Sequence, residues 1–149
     1  MKVEEVMSHE PAYCTPSTSL EEVACMMIEC DCGEIPVVDS ESGRKPMGVV
    51  TDRDIVCRTL AKGLNPLTMK ARDCMSEPCV TVTPDMSIEE CCKVLEDNHI
   101  RRVPVVNGDG VLCGIVSVAD VALRARSKIT AEVIKEVSEP IGVASTVVH

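Results

Sequence analysis

The chain has 149 residues, is 45% hydrophobic and carries a formal net charge of −9. With Tyr13 its one aromatic residue, it lacks both the basic face and the stacking platforms of a general nucleic-acid binder. No apolar run approaches the roughly 18 residues of a membrane span. The acidic start MKVEEVMSHE has no signal-peptide order, so a cytoplasmic protein without a membrane partner is expected.

Taken in chain order, residues 12–15 alternate as a short strand that ends in a Thr-Pro turn. Ser19 and Glu22 then match a helix capping box. Leu20, Val23, Ala24, Met27 and Ile28 recur at helical spacing and predict one buried stripe. The strand IPVVD follows, then a polar loop over 40–46, then a second strand ending in GVVTDRDI, after which a helix begins. A linker over 61–72 contains Gly63 and Asn65-Pro66. A strand over 79–83, a capping box at Ser87 and Glu90, and a helix come next. The strand VPVVN leads through Asn107-Gly108, favoured in tight hairpins, into a strand over 111–116 and the motif GIVSVADV. A last helix is expected over 130–138, stopped near Pro140, with a frayed tail to His149.

The two halves are one unit written twice. Setting Pro16 on Pro84 aligns TPSTSLEEVACMMIECDCGEIPVVD with TPDMSIEECCKVLEDNHIRRVPVVN, and Met7-Ser8 falls on Met75-Ser76. The predicted fold is α+β: two β-α-β-β-α repeats packed through their sheets about a pseudo-twofold axis. Repeat 1 takes 1–60, the linker 61–72, repeat 2 takes 73–127, and the terminal helix and tail 128–149. Half-chains of about fifty residues would struggle to fold alone.

Ten cysteines appear without a CxxC…CxxC pattern. Cys25, Cys57, Cys74, Cys79, Cys91 and Cys113 stand where aliphatic residues fit and read as buried thiols. A metal or redox alternative rests on Cys30, Cys32 and the Cys91-Cys92 neighbours, which point about 100° apart on a helix. No metal ligand set is assigned. Nor does a catalytic constellation appear: His9, His99 and His149 are isolated, and no P-loop or Ser-His arrangement is present. The expectation is a protein that is not an enzyme and needs no cofactor.

In both motifs a hydroxyl, Thr51 or Ser117, precedes an aspartate, Asp54 or Asp120, by three positions at the start of a helix. A capping box alone accounts for that spacing. The motif also follows a buried strand directly, so the helix N-terminus faces the strand's end and attracts anions. A carboxylate there can accept both hydroxyls of a ribose. Hydroxyl, carboxylate and helix terminus together suit a ribose phosphate.

The doubled unit, with GVVTDRDI and GIVSVADV each following a Pro-Val-Val strand, resembles a tandem pair of CBS domains (a Bateman module) of the stand-alone prokaryotic type. The resemblance implies two clefts between repeats for adenosine-containing ligands such as AMP, ADP, ATP or S-adenosylmethionine. It implies a first cleft with Val49, Thr51, Arg53 and Asp54, faced by Cys79, Val80, Ile100 and the phosphate contacts Arg101 and Arg102. The second would use Ile115, Ser117 and Asp120, faced by Cys32, Gly33 and Glu34. Glu34 stands where the first cleft has an arginine, so this cleft is expected to be weaker, empty or suited to a cationic ligand. The implied partners are a second copy in a homodimer and an unknown downstream protein. A dimeric interaction scaffold with vestigial clefts is the alternative; a cysteine-based metal or redox sensor ranks below it.

Overall fold

The computed structural model describes residues 1–124 and 127–140. Ser19 opens helix α1 (Leu20–Cys30), its hydroxyl accepting the Glu22 N–H at 3.1 Å. Asp31 ends the helix in the left-handed region at φ 49°. Strands β2 (Glu34–Val38) and β3 (Pro46–Thr51) follow, antiparallel, with Glu34 opposite Thr51 and Val37 opposite Gly48. Helices α2 (Asp52–Arg58) and α3 (Ala71–Cys74) flank two 3-10 turns: Leu60–Lys62, which starts one residue before the expected linker, and Pro66–Thr68 inside it.

The second repeat uses the same grammar. Helix α4 (Ile88–Asn98) has a complete capping box between Ser87 and Glu90 and ends at His99, φ 53°. Strand β4 (Arg102–Val106) turns at Asn107, whose Oδ1 accepts the Asp109 and Val111 N–H groups, into β5 (Leu112–Ser117). Helix α5 (Val118–Arg124) follows, and α6 (Ser127–Ser138) begins three residues before the expected start. The expected tail beyond Pro140 lies outside the described residues. The result is an α+β chain in which each repeat runs helix, strand, strand, helix. Among the described residues no helix is long and apolar enough to cross a membrane.

The chain forms two compact units assembled from interleaved segments. One holds Glu10–Val80 with Val106–Cys113. Its buried residues Leu20, Val23, Ile35, Val37, Val50 and Cys74 form a core. The other holds Met1–His9, Thr81–Val105 and the described residues from Gly114 onward. There a short strand β1 (Ser8–His9) pairs antiparallel with β5, in a sheet ordered β1-β5-β4. Val3, Val6, Leu95, Val103, Val116 and Val133 are fully buried or nearly so in this unit.

The repeated Met-Ser dipeptides now have a place. Ser76 exchanges backbone hydrogen bonds with Val49 at 2.8 and 3.1 Å. A Cβ on Gly48 would lie 2.6 Å from the Ser76 carbonyl oxygen. In the other unit a Cβ on Gly114 would meet Met7 Sδ at 2.6 Å and the Ser8 carbonyl at 3.1 Å. The glycine that opens each motif is therefore where another segment crosses too closely for a side chain.

Three expectations need correcting. The strands over 12–15 and 79–83 are single parallel bridges, Cys14 to Val37 and Val82 to Val105. The α1 stripe consists of Leu20, Val23, Met26 and Met27, while Ala24 is exposed and Ile28 is 82% exposed. Apolar spacing alone does not tell a core face from an apolar surface face. Finally, Cys25 and Cys57 are exposed, whereas Cys14 and Cys92 join Cys74 and Cys91 in the interior.

Candidate functional site

Each hydroxyl–aspartate motif is a closed capping box. Thr51 N–H donates to Asp54 Oδ2 at 3.0 Å, and Asp54 N–H donates to Thr51 Oγ1 at 3.0 Å. Ser117 N–H and Oγ donate to Asp120 Oδ2 at 2.8 and 2.9 Å, and Asp120 N–H donates to Ser117 Oγ at 3.1 Å. The capping role is real in both, and any ligand role is added to it. Asp54 is held further by Ser76 Oγ, 3.3 Å from both carboxylate oxygens, and by Arg58 Nε at 3.9 Å.

Arg58 and Ser76 escaped the sequence reading. Arg58 Nη1 also donates to the Cys74 and Met75 carbonyls at 3.0 and 2.8 Å. Arg124, its counterpart in the repeat, donates to the Glu5 carbonyl at 2.9 Å. Their shared position at the end of α2 and α5 was the available signal.

The antiparallel hairpin of each repeat sets the residues before its first strand beside the motif that follows its second. In the first, Asp52 N–H donates to the Gly33 carbonyl at 2.9 Å, and Glu34 lies opposite Thr51. In the second, Val118 N–H donates to the Arg101 carbonyl at 2.9 Å. The two copies thereby acquire opposite charge. Glu34, Asp52 and Asp54 gather around the first motif; Arg101 and Arg102 flank the second.

Glu34 leaves an electrostatic mark on a neighbour. The Cys79 thiol is pushed up to about 11, first by burial and then by the Glu34 carboxylate. Cys32 Sγ donates to the Glu34 carbonyl at 3.4 Å, and Cys79 Sγ to the Val80 carbonyl at 3.6 Å.

The unit containing Thr51 and Asp54 thus also holds Val49, Arg53, Cys32, Gly33, Glu34, Cys79 and Val80. Arg53 is exposed on α2, and Val49 is half-buried in β3. The unit containing Ser117 and Asp120 holds Ile100, Arg101, Arg102 and Ile115. Ile115 is 8% and Ser117 6% exposed. A cavity of about 330 Å³ in that unit is lined on one side by Arg101, Arg102, Ser117, Val118 and Ala119, and on the other by α6. Arg101 and Arg102, expected in the first cleft, and Ser117, expected in the second, line this cavity together.

Ion pairing adds to the contrast. The salt bridge found among the described residues joins Arg58 to Asp54, and neither Arg101 nor Arg102 takes part in one there. Among the described residues, no group of three His, Cys, Asp or Glu side chains is placed to hold a metal ion.

Comparison with known proteins places these features in a wider set. The CBS domain model matches residues 3–58 and again 71–126. An uncharacterized protein of Methanopyrus kandleri is 36% identical over 121 residues, 81% of this chain and 61% of that longer protein. The crystal structure of Hypoxic Response Protein I with two coordinated zinc ions superposes with a TM-score of 0.75 at 32% identity, covering 85% of this chain and all of that one. A CBS domain protein of Pyrobaculum aerophilum complexed with AMP shares the fold, with a TM-score of 0.77 at 23% identity over 91% of this chain and 99% of that one.

Proposed function

Because the chain belongs to the CBS-domain family as a tandem pair, we propose that it is a regulatory module rather than an enzyme. It binds an adenosine-containing ligand (AMP, ADP, ATP or S-adenosylmethionine) and passes occupancy to a downstream protein through a change of conformation. In this reading Asp54 and Asp120 accept ribose hydroxyls, and Arg101 and Arg102 hold phosphate. A ligand acts only in proportion to its differential affinity for the two conformations.

The observation that carries the reading is local. In a protein of net charge −9, two arginines outside any ion pair among the described residues converge with a buried Ser117 on one cavity beside a hydroxyl–aspartate motif. Planar guanidinium forks match phosphate oxygens better than a point charge does. The AMP complex of the Pyrobaculum protein supports the same ligand class.

With one Tyr and no Trp, a copurified adenine nucleotide would dominate the ultraviolet spectrum near 260 nm. Calorimetric titration with AMP, ATP and S-adenosylmethionine is the direct test. Arg102→Ala should weaken a phosphorylated ligand about tenfold or more, since charge-assisted hydrogen bonds are worth 1.5–3 kcal/mol each. If the wild type binds none of the three at millimolar concentration, the ligand-sensor reading falls.

A dimeric scaffold is the second reading, favoured by the apolar side chains that the helices expose. Ile28 is 82%, Val56 52%, Leu60 61% and Leu123 83% exposed. Light scattering on Leu60→Ser and Leu123→Ser should show loss of a dimer; a wild type that is already monomeric would end this reading.

A further inference from the structure

Helix α6 lies outside both stretches matched by the CBS domain model, yet it forms one side of the arginine cavity. Its residues there are Ile134, Val137 and Ser138, spaced i, i+3 and i+4 and so on one face of the helix. Val133 beside them is fully buried, which pins the helix to its unit. The acidic residues of α6 do not line the cavity. Glu136 and Glu132 instead face Glu96 of α4, whose pKa is raised first by burial and then by these two carboxylates.

This distribution is informative. A helix whose task was to neutralise Arg101 and Arg102 would turn a glutamate toward them. α6 presents two aliphatic side chains and a hydroxyl, and leaves both positive charges open to something else. A cavity of about 330 Å³ sits at the small end of the range for ligand pockets. That size suits a phosphate monoester with a compact apolar body.

We propose that α6 is the apolar wall of a phosphate-monoester site whose cationic wall is Arg101 and Arg102, so that a helix outside the two CBS repeats contacts the ligand directly. The phosphate meets the guanidinium groups, and the organic part packs on Ile134 and Val137. The phosphate role of Arg101 and Arg102 and adenosine as the organic part rest on the function proposed above; the wall formed by α6 is the added claim.

The test is a charge pair at one exposed position. Ile134 is 48% exposed, so Ile134→Glu and Ile134→Lys should both fold, with thermal midpoints close to wild type. Titrated with AMP, Ile134→Glu should bind about tenfold more weakly, whereas Ile134→Lys should bind as tightly as wild type or more so. Ser138→Glu and Ser138→Lys should repeat the contrast should either Ile134 variant fail to fold. Lys135→Glu, on α6 but away from the cavity, should leave affinity unchanged.

Equal affinities for the Glu and Lys variants would overturn the α6 site. If AMP still bound and Arg102→Ala still weakened it, the regulatory reading would survive that result. Binding of inorganic phosphate but not AMP, with the same dependence on position 134, would keep the site and remove the adenosine. A wild type that binds neither at millimolar concentration overturns both.

Discussion

At the level of single residues, the two motif glycines do related work against different neighbours. Gly48 faces a backbone carbonyl, that of Ser76, which cannot swing away. Gly114 faces chiefly the flexible end of Met7. Gly48→Ala should therefore destabilise its unit by about 2–3 kcal/mol, in line with overpacking of a tight contact, and Gly114→Ala by less. Urea unfolding of the two variants checks the order, and equal losses would contradict it. Thiol chemistry follows burial in the same way. Burial pushes Cys14 and Cys91 up to about 12 and Cys92 up to about 11, while Cys25 and Cys57 are exposed. Because the thiolate is the reactive form, an aromatic disulfide reagent should label Cys25 and Cys57 at once in the native protein. Cys14, Cys91 and Cys92 should react only after denaturation, as mass spectrometry of the labelled peptides would show. The sequence pattern could not sort these cysteines, because a small apolar thiol fits either face of a helix.

Secondary-structure elements were the most legible scale, since caps and turns are decided within four residues. Ser19, Thr51, Ser87 and Ser117 all accept the N–H that their spacing predicted. Ser87→Ala should cost about 1 kcal/mol. The sheet-side edge of the site was also within reach. An antiparallel hairpin necessarily sets Arg101 and Arg102 beside Ser117, and Glu34 beside Thr51, but that step needs the register as well as the motif. What α6 contacts could not be read, because its apolar stripe names no partner. Its junction with α4 has a pH dependence of definite sign. Glu96 is raised above its ordinary value by burial and by Glu136, Glu132 and Asp97, with Lys93 opposing. A carboxyl with a raised folded-state value favours the docked helix when protonated, and that contribution is lost as pH rises through the raised value. Amide exchange at Val133 should therefore slow as pH falls from neutrality toward the ordinary carboxyl value of 4.5, after correction for intrinsic exchange. Glu132→Gln and Glu136→Gln should each protect it at pH 7 and flatten the profile. Unchanged protection in both would remove the electrostatic account.

Across the whole molecule, the covalent repeat and the compact unit are different divisions of the chain. Repeats were legible because they are written in linear order. The exchange of segments was not, since it depends on pairings between residues far apart in the chain. Ser8 and His9 pair with Ile115 and Gly114, and Ser76 pairs with Val49, so the Met-Ser element of each repeat completes the sheet of the other. Residues 106–113 likewise belong with Glu10–Val80, where Leu112 N–H donates to the Arg44 carbonyl at 2.9 Å. A cut at the repeat boundary therefore severs both units. Fragment 1–60 lacks Ala71 and Cys74 of its unit's core and the Ser76 bridge, and it carries Val3 and Val6 without the residues that bury them. Fragments 1–60 and 73–149 should each fail to show a cooperative thermal transition on their own. Deleting only residues 1–9 from the full chain should instead expose the edge of β5 and speed amide exchange at Ile115 and Val116, while Val37 and Val50 in the other unit keep their protection. A cooperative transition in isolated 1–60 would show that the local repeat, and not the interleaved unit, is what folds.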